Sequence, residues 1–335
     1  MFDADTERMI KPLSFLFIIS LVVPLSVFGQ VPVKEELLET VSFLYPYTLE
    51  NGQLETVGAG TGFAVKHEEG GHGFLVTARH VLTQKSGEFY PNLCIRHGTK
   101  EGADFIPVKL SGKGAARIFT HKTDPDVDIA AIPAMDIPLP RGTAANTWLG
   151  THLGSSIFAT KEHFAKGHVQ LGDEVFFIGW FQTYFGRTRN YPIVRFGRLS
   201  LKTDETIPWQ EQNKTTMLDL YLIEAWPTRG NSGGPVFFRP NIQREPGTFI
   251  IDKPKLLLAG ILKGFLGVPM QAHAGIGAVV PAFKLGEILS NDNAMHLEQL
   301  SELALATDED IQLCRQAESL FRERQKLQPE GQKVH

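Results

Sequence analysis

The sequence predicts an all-β protein, a barrel or a sandwich, followed by a helical carboxy-terminal tail. Three observations carry that expectation. The 335 residues include 32 glycines and 20 prolines, which suits many turns better than a helical bundle. Between residues 40 and 280 the apolar residues fall in short runs separated by polar, Gly- or Pro-bearing breaks, with no helical period of useful length. Beyond residue 280 the spacing turns helical.

The first elements are runs at 55–66 and 73–78, joined by the polar, Gly-rich His67–His72 stretch, which together read as a hairpin. Further strands are expected at 93–96, 105–110, 115–119, 128–132, 174–179, 192–200, 217–224, 235–238, 256–262 and 276–280. In the tail, 282–290 and about 294–327 carry helical periodicity through Leu297, Leu300, Leu303, Ile311, Leu313, Cys314 and Leu320. Asp308, Glu309 and Asp310 stand at the start of the last helix and Arg322, Arg324 and Lys326 near its end, each sign at the favourable pole of the helix dipole.

Composition excludes several classes. With 42% hydrophobic and 21% charged residues, the chain is neither wholly disordered nor a polytopic membrane protein. Lys plus Arg number 33 against 37 for Asp plus Glu, a net charge of -4, so there is no electrostatic case for a nucleic-acid partner. Cys94 and Cys314 can form at most one bridge across a very long loop, and the expectation is two buried free thiols. At the amino terminus the uncharged stretch 13–28 is short for a membrane span and precedes Val27-Phe28-Gly29, which fits cleavage after Gly29. Because Asp3, Asp5 and Glu7 do not suit the basic leader of a signal peptide, the expected start is Met9. Retention of 13–28 as a membrane anchor is the alternative.

Three segments carry chemistry. Gly230-Asn231-Ser232-Gly233-Gly234-Pro235 sets a serine among glycines, where a tight turn lets the amides of Gly230 and Ser232 aim at one point. A serine hydroxyl needs both a base and such donors to act as a nucleophile. Thr77-Ala78-Arg79-His80-Val81 places His80 directly after an apolar strand, where core meets surface. Asp128 opens the apolar run Ile129–Ile132, and a carboxylate at the rim of a core is costly unless paired. A histidine N–H would pair it.

The order His80, Asp128, Ser232 and the sequences around these residues resemble the bacterial trypsin-like serine peptidases, the group that includes the protease domain of protease Do. The likeness extends to Gly60–Val65, Gly172–Gly179, Leu258–Ile261 and Gly275–Pro281, covering about residues 50–290. It implies two perpendicular six-stranded antiparallel β-barrels with the active site in the cleft between them. It implies that His80, Asp128 and Ser232 form a catalytic triad, that Gly230 and Ser232 form the oxyanion hole, and that Trp226, Ile261 and Gly277 line the substrate pocket. Activity should then rise with pH as His80 loses its proton. Trp226 stands six residues before Ser232, where an acid would select basic side chains, so the expected preference is hydrophobic or small. No PDZ domain fits the sequence, and the stretch 181–216 is longer than the likeness leads one to expect.

The domain plan is therefore a signal peptide or anchor at 1–29, a double barrel at 30–290 and a helical extension at 291–335. The expected function is a secreted or periplasmic serine endopeptidase acting on protein or peptide substrates without a cofactor or metal. A catalytically idle barrel that binds protein is the alternative, and an ester hydrolase stands behind it. The His67–His72 spacing misses the H-E-x-x-H zinc pattern by one place. The alternation Asp124, Asp126, Asp128 lacks the glycine and the closing glutamate of a calcium loop, where Ile129 and Met135 stand instead.

Overall fold

A computed structural model describes residues 32–56, 58–138, 151–181, 184, 186–211, 214–239, 256–268, 271–298, 300 and 306–327. The apolar stretch 13–28, its expected cleavage point and Trp148 lie outside these residues. Lys34–His335 group as one unit.

The amino-terminal half builds one eight-stranded sheet from β1 (Val41–Glu50), β2 (Gln53–Thr56), β3 (Gly60–Lys66), β4 (Gly73–Thr77), β5 (Asn92–Gly98), β6 (Ala103–Lys109), β7 (Ala130–Pro133) and β8 (Leu153–Gly154). Its main path runs β6-β5-β1-β3-β4-β7, with β2 on β1 and β8 parallel to β3. Among the described residues, no strand ladder joins the ends of that path. The segment between them spans the gap instead: the Ala116 amide bonds to Lys109 O at 2.9 Å, and Phe119 and Ala131 exchange two backbone bonds of 2.8 and 2.9 Å. The run 115–119, expected as a strand, is therefore a single bridge.

The second half closes completely. Strands β9 (Glu174–Gly179), β10 (Ile193–Lys202), β13 (Tyr221–Glu224), β14 (Pro235–Arg239), β15 (Leu257–Val268) and β16 (Gln271–Pro281) form a barrel in the order β10-β13-β16-β15-β14-β9. The intervening β11 (Ile207–Glu211) and β12 (Lys214–Leu218) pair with each other as a separate hairpin. Alternate residues such as Val175 and Phe177, and Val236 and Phe238, fill the barrel core with Leu199, Ile223, Leu262 and Val279. The intervening Phe176 and Phe237 are also buried and stack with ring centroids 5.0 Å apart, so these strands read as continuous apolar runs. The fold is chymotrypsin-like, one closed six-stranded barrel beside one partly closed sheet. The expected chymotrypsin-like double-barrel architecture is present, its first member being a half-barrel sheet.

Sequence pattern missed some strands for physical reasons. Pro46 stands in the middle of β1, paired with Leu93, and a proline in a run argues against a strand. In the stretch 181–216 the strand expected at 192–200 forms as β10, whereas β11 was not expected.

The tail ends in the helix Asp308–Leu327. Thr307 caps it: its hydroxyl takes the Asp310 amide at 3.1 Å, while the Asp310 carboxylate accepts the Thr307 amide at 2.9 Å. This helix overturns the reading of two free thiols. Cys314 lies on its buried face and is bonded to Cys94 of β5, a bridge across 220 residues of sequence. Both cysteines are buried, as expected, but as a disulfide. Phe321, further along, packs on Tyr45 and edge-on against Trp180, with ring centroids 5.7 and 5.3 Å away.

Candidate active site

Each of the three chemical residues sits where an element ends. After β4 the chain turns into one helical turn, Arg79–Leu82, with Ala78, Val81 and Leu82 buried and His80 on the half-exposed side. The first amides of a helix have no partner within it. Asp128 supplies one: its Oδ1 accepts the His80 amide at 2.8 Å while its Oδ2 accepts from His80 Nδ1 at 2.7 Å. The carboxylate therefore fixes both the backbone and the ring of His80. The Arg79 amide also bonds to the Asp128 carbonyl at 3.3 Å.

Ser232 lies on the turn before β14. Gly230 and Gly233 have φ of +90° and +87°, the left-handed region that favours glycine. A Cβ on Gly230 would stand 1.8 Å from the Trp180 ring, and one on Gly233 2.1 Å from Thr61 O. Asn231 is fully buried, its Oδ1 accepts from the Thr228 amide at 2.7 Å, and its Nδ2 donates to the Trp180 carbonyl. Thr61 ties the turn to the first sheet: its hydroxyl donates to Gly230 O at 2.7 Å, and its amide to Ser232 O at 2.9 Å. Among the described residues no backbone acceptor takes the amides of Gly230 and Ser232.

A residue absent from the sequence expectations joins the pieces. Lys263 of β15 places its Nζ 2.8 Å from Asp128 Oδ2, the oxygen that also holds His80. The Lys263 carbonyl accepts the Ser232 hydroxyl at 3.0 Å. Among the described residues, no hydrogen bond runs from Ser232 Oγ to the His80 ring. Asp128 and Lys263 side chains are 5% and 7% exposed, whereas His80 is 35% exposed, so the open edge of the cluster is the imidazole. Burial pushes the Asp128 carboxyl up. The charges and hydrogen bonds of His80 and Lys263 outweigh burial and hold it below the usual carboxylate range.

His80, Asp128 and Ser232 lie within the reach of a known family. The family described as Trypsin-like peptidase domain matches residues 60–240, more than half of the chain. The chain belongs to the trypsin-like peptidase family. None of the curated proteins matches it. Family membership makes it a peptidase by class, with protein or peptide as substrate. The match spans His80, Asp128 and Ser232 and stops before β15, so Lys263 falls outside it.

The residues expected to line this trypsin-like peptidase's pocket sit apart in character. Trp226 is 57% exposed; its indole covers Gly275, and its carbonyl accepts from Arg195 at 2.9 Å. Ile261 is fully buried, paired with Pro235 and Val280. Gly277 is buried where a Cβ would meet Ile223 at 3.0 Å and Pro227 at 3.2 Å. Sequence reasoning missed Lys263, Thr61, Asn231 and the role of Trp180. The one signal for Lys263 was a lone cation inside the apolar run Leu257–Val268.

Proposed function

We propose that this peptidase is an exported serine endopeptidase with Ser232 as nucleophile, His80 as general base and Asp128 orienting His80. The observation that carries the proposal is the convergence of three distant segments: His80 Nδ1 on Asp128 Oδ2 at 2.7 Å, with Ser232 Oγ on the carbonyl of the residue whose ammonium holds the same carboxylate. On this reading substrate binding turns the Ser232 hydroxyl from the Lys263 carbonyl to His80 Nε2, since catalytic hydrogen bonds are often loose without substrate. Ser232 Oγ then attacks the scissile carbonyl and its proton passes to His80. The amides of Gly230 and Ser232 receive the oxyanion. Collapse breaks the C–N bond, the proton goes to the leaving amine, and water hydrolyses the acyl-enzyme by the same steps.

We assign the acyl-side pocket to the wall containing Trp226 and Gly277, backed by Ile261, which favours hydrophobic or small side chains over basic ones. We place the chain in a secreted or periplasmic compartment. The Cys94–Cys314 bridge supports that, because such bonds persist in oxidising surroundings. The closer likeness to the protease domain of protease Do is part of the same proposal.

One observation favours a second reading. The Ser232 hydroxyl rests on Lys263 O rather than on His80, as it would in an idle, protein-binding barrel. A fluorophosphonate separates the two, since it labels Ser232 only where base and oxyanion donors assemble. We expect labelled Ser232 and cleavage of a peptide library, with Ser232→Ala lowering kcat by about 10⁶. An unlabelled protein at every pH, or cleavage that survives Ser232→Ala, ends the serine-peptidase reading.

A further inference from the structure

Lys263 stands at a break in the barrel. Between β15 and β16, Leu262 pairs with Val279 and Gly264 with Ala278, so Lys263 is an extra residue at a register shift. A bulge of this kind turns a side chain out of the strand's alternation. Leu262 points into the barrel core, and its backbone is bonded to Gly233 N and Gly234 O at 2.8 and 2.9 Å. Lys263 is therefore anchored beside the Ser232 turn while its side chain crosses to the first sheet.

An ammonium at 7% exposure is costly unless paired, and an apolar residue would suit the surrounding run better. Here it is covered by the Trp209 ring of β11, centred 5.0 Å from Nζ, and it bonds to Asp128 Oδ2 at 2.8 Å. Two donors, His80 Nδ1 and Lys263 Nζ, share that one oxygen.

We propose that Lys263 is a positioning residue that sets the acid limit of the peptidase: by sharing Asp128 with His80 it keeps the imidazole a usable base at lower pH than an Asp128–His80 pair alone would allow. This rests on the serine-peptidase reading above. The sign follows from charge. A carboxylate beside the ring favours the imidazolium, and a fixed ammonium on the same carboxylate oxygen opposes it. Among the described residues, other ionisable groups near the cluster have partners of their own or reach solvent. Asp124 pairs with Lys284 at 3.5 Å and His121 with Glu287 at 2.7 Å. Asp126 is exposed, and Arg79 is half-exposed on the His80 helix. The charges that act on the Asp128 carboxylate are those of His80 and Lys263.

The test is the pH profile of kcat/KM for wild type, Lys263→Met and Lys263→Arg, with fluorophosphonate labelling of each at high pH. We expect the acid limb to move up by about one pH unit in Lys263→Met, the tenfold effect of one nearby charge through a partly screening interior. Lys263→Arg should bring it back toward wild type. A limb unmoved in a labelled Lys263→Met, or moved equally by Met and Arg, overturns the inference. Wild-type protein that takes no label at any pH fails the serine-peptidase reading instead. If Lys263→Met does not fold, the ¹⁵N resonance of the wild-type Lys263 ammonium decides. It should shift as His80 titrates, and indifference to that titration overturns the proposal.

Discussion

The Asp128 cluster and the Arg96 cluster are both buried assemblies of charge, and they are closed to different degrees. Arg96 of β5 is fully buried, and its guanidinium donates to the carbonyls of Gly186, Arg187 and Arg189 at 3.1–3.3 Å. Glu318 of the last helix lies 3.5 Å from Arg96 Nε and is bonded to Arg322, which in turn reaches Gly186 O at 2.6 Å. That cluster joins the carboxy-terminal helix to the segment after Trp180. Among the described residues its members are guanidinium groups and the Glu318 carboxylate at 10% exposure. The Asp128 cluster is as deep at the carboxylate but ends in an imidazole 35% exposed. A buried ion assembly that does chemistry needs one titratable member at the surface; one that only fastens elements does best with members that stay charged and covered.

Exchanging the carboxylate for an amide in each cluster is the sharpest way to break this comparison. Asp128→Asn should lower kcat by about 10⁴, since the amide no longer holds the imidazole in the right tautomer. Glu318→Gln should change kcat by less than tenfold while costing about 3 kcal/mol of stability, because it removes the carboxylate that faces the buried Arg96. Kinetics and chemical denaturation of the two variants read both effects. Loss of turnover in Glu318→Gln without loss of stability would erase the distinction.

The bond between Cys94 and Cys314 sharpens it further, because it fastens the same helix that carries Glu318. Replacing both cysteines with serine should cost about 4 kcal/mol, the constraint lost from an unfolded chain closed over a long loop. A melting temperature unchanged in the double variant would show that the Arg96 cluster alone holds the helix.

The contrast also marks what a sequence displays. His80 and Asp128 drew attention because each stands at an end of an apolar run, where a polar residue interrupts a pattern, and Ser232 because glycines surround it. The barrel strands β9 and β14 were legible because both are short continuous apolar runs bounded by polar or turn residues. Lys263 was not, because its meaning depends on a bulge that aims it at a residue 135 positions earlier. Cys94 and Cys314 were misread because a count of two gives no framework, and only docking of the tail helix on β5 brings them together. The double-barrel plan came from likeness, and what likeness does not carry is the detail that, among the described residues, the Ala116–Lys109 bond and the Phe119–Ala131 bridge span the gap in the first sheet.

A second histidine completes the comparison with His80 and carries the smallest expected effect. His97 of β5 adjoins Arg96, is 4% exposed, and meets the Ser42 hydroxyl through Nδ1 at 2.9 Å. Burial pushes its imidazole down to about 4. The folded protein therefore keeps His97 neutral while the unfolded chain takes up a proton near the ordinary value of about 6.5. Stability from this group is intact above about 6.5 and is lost as the pH falls from there toward about 4, by about 3 kcal/mol at most. Denaturant unfolding followed between those limits should show the decline in wild type and a flatter slope in His97→Gln. Equal slopes in the two proteins would mean that His97 reaches solvent in the folded state, and the covered face of β5 would then be as open as the His80 edge.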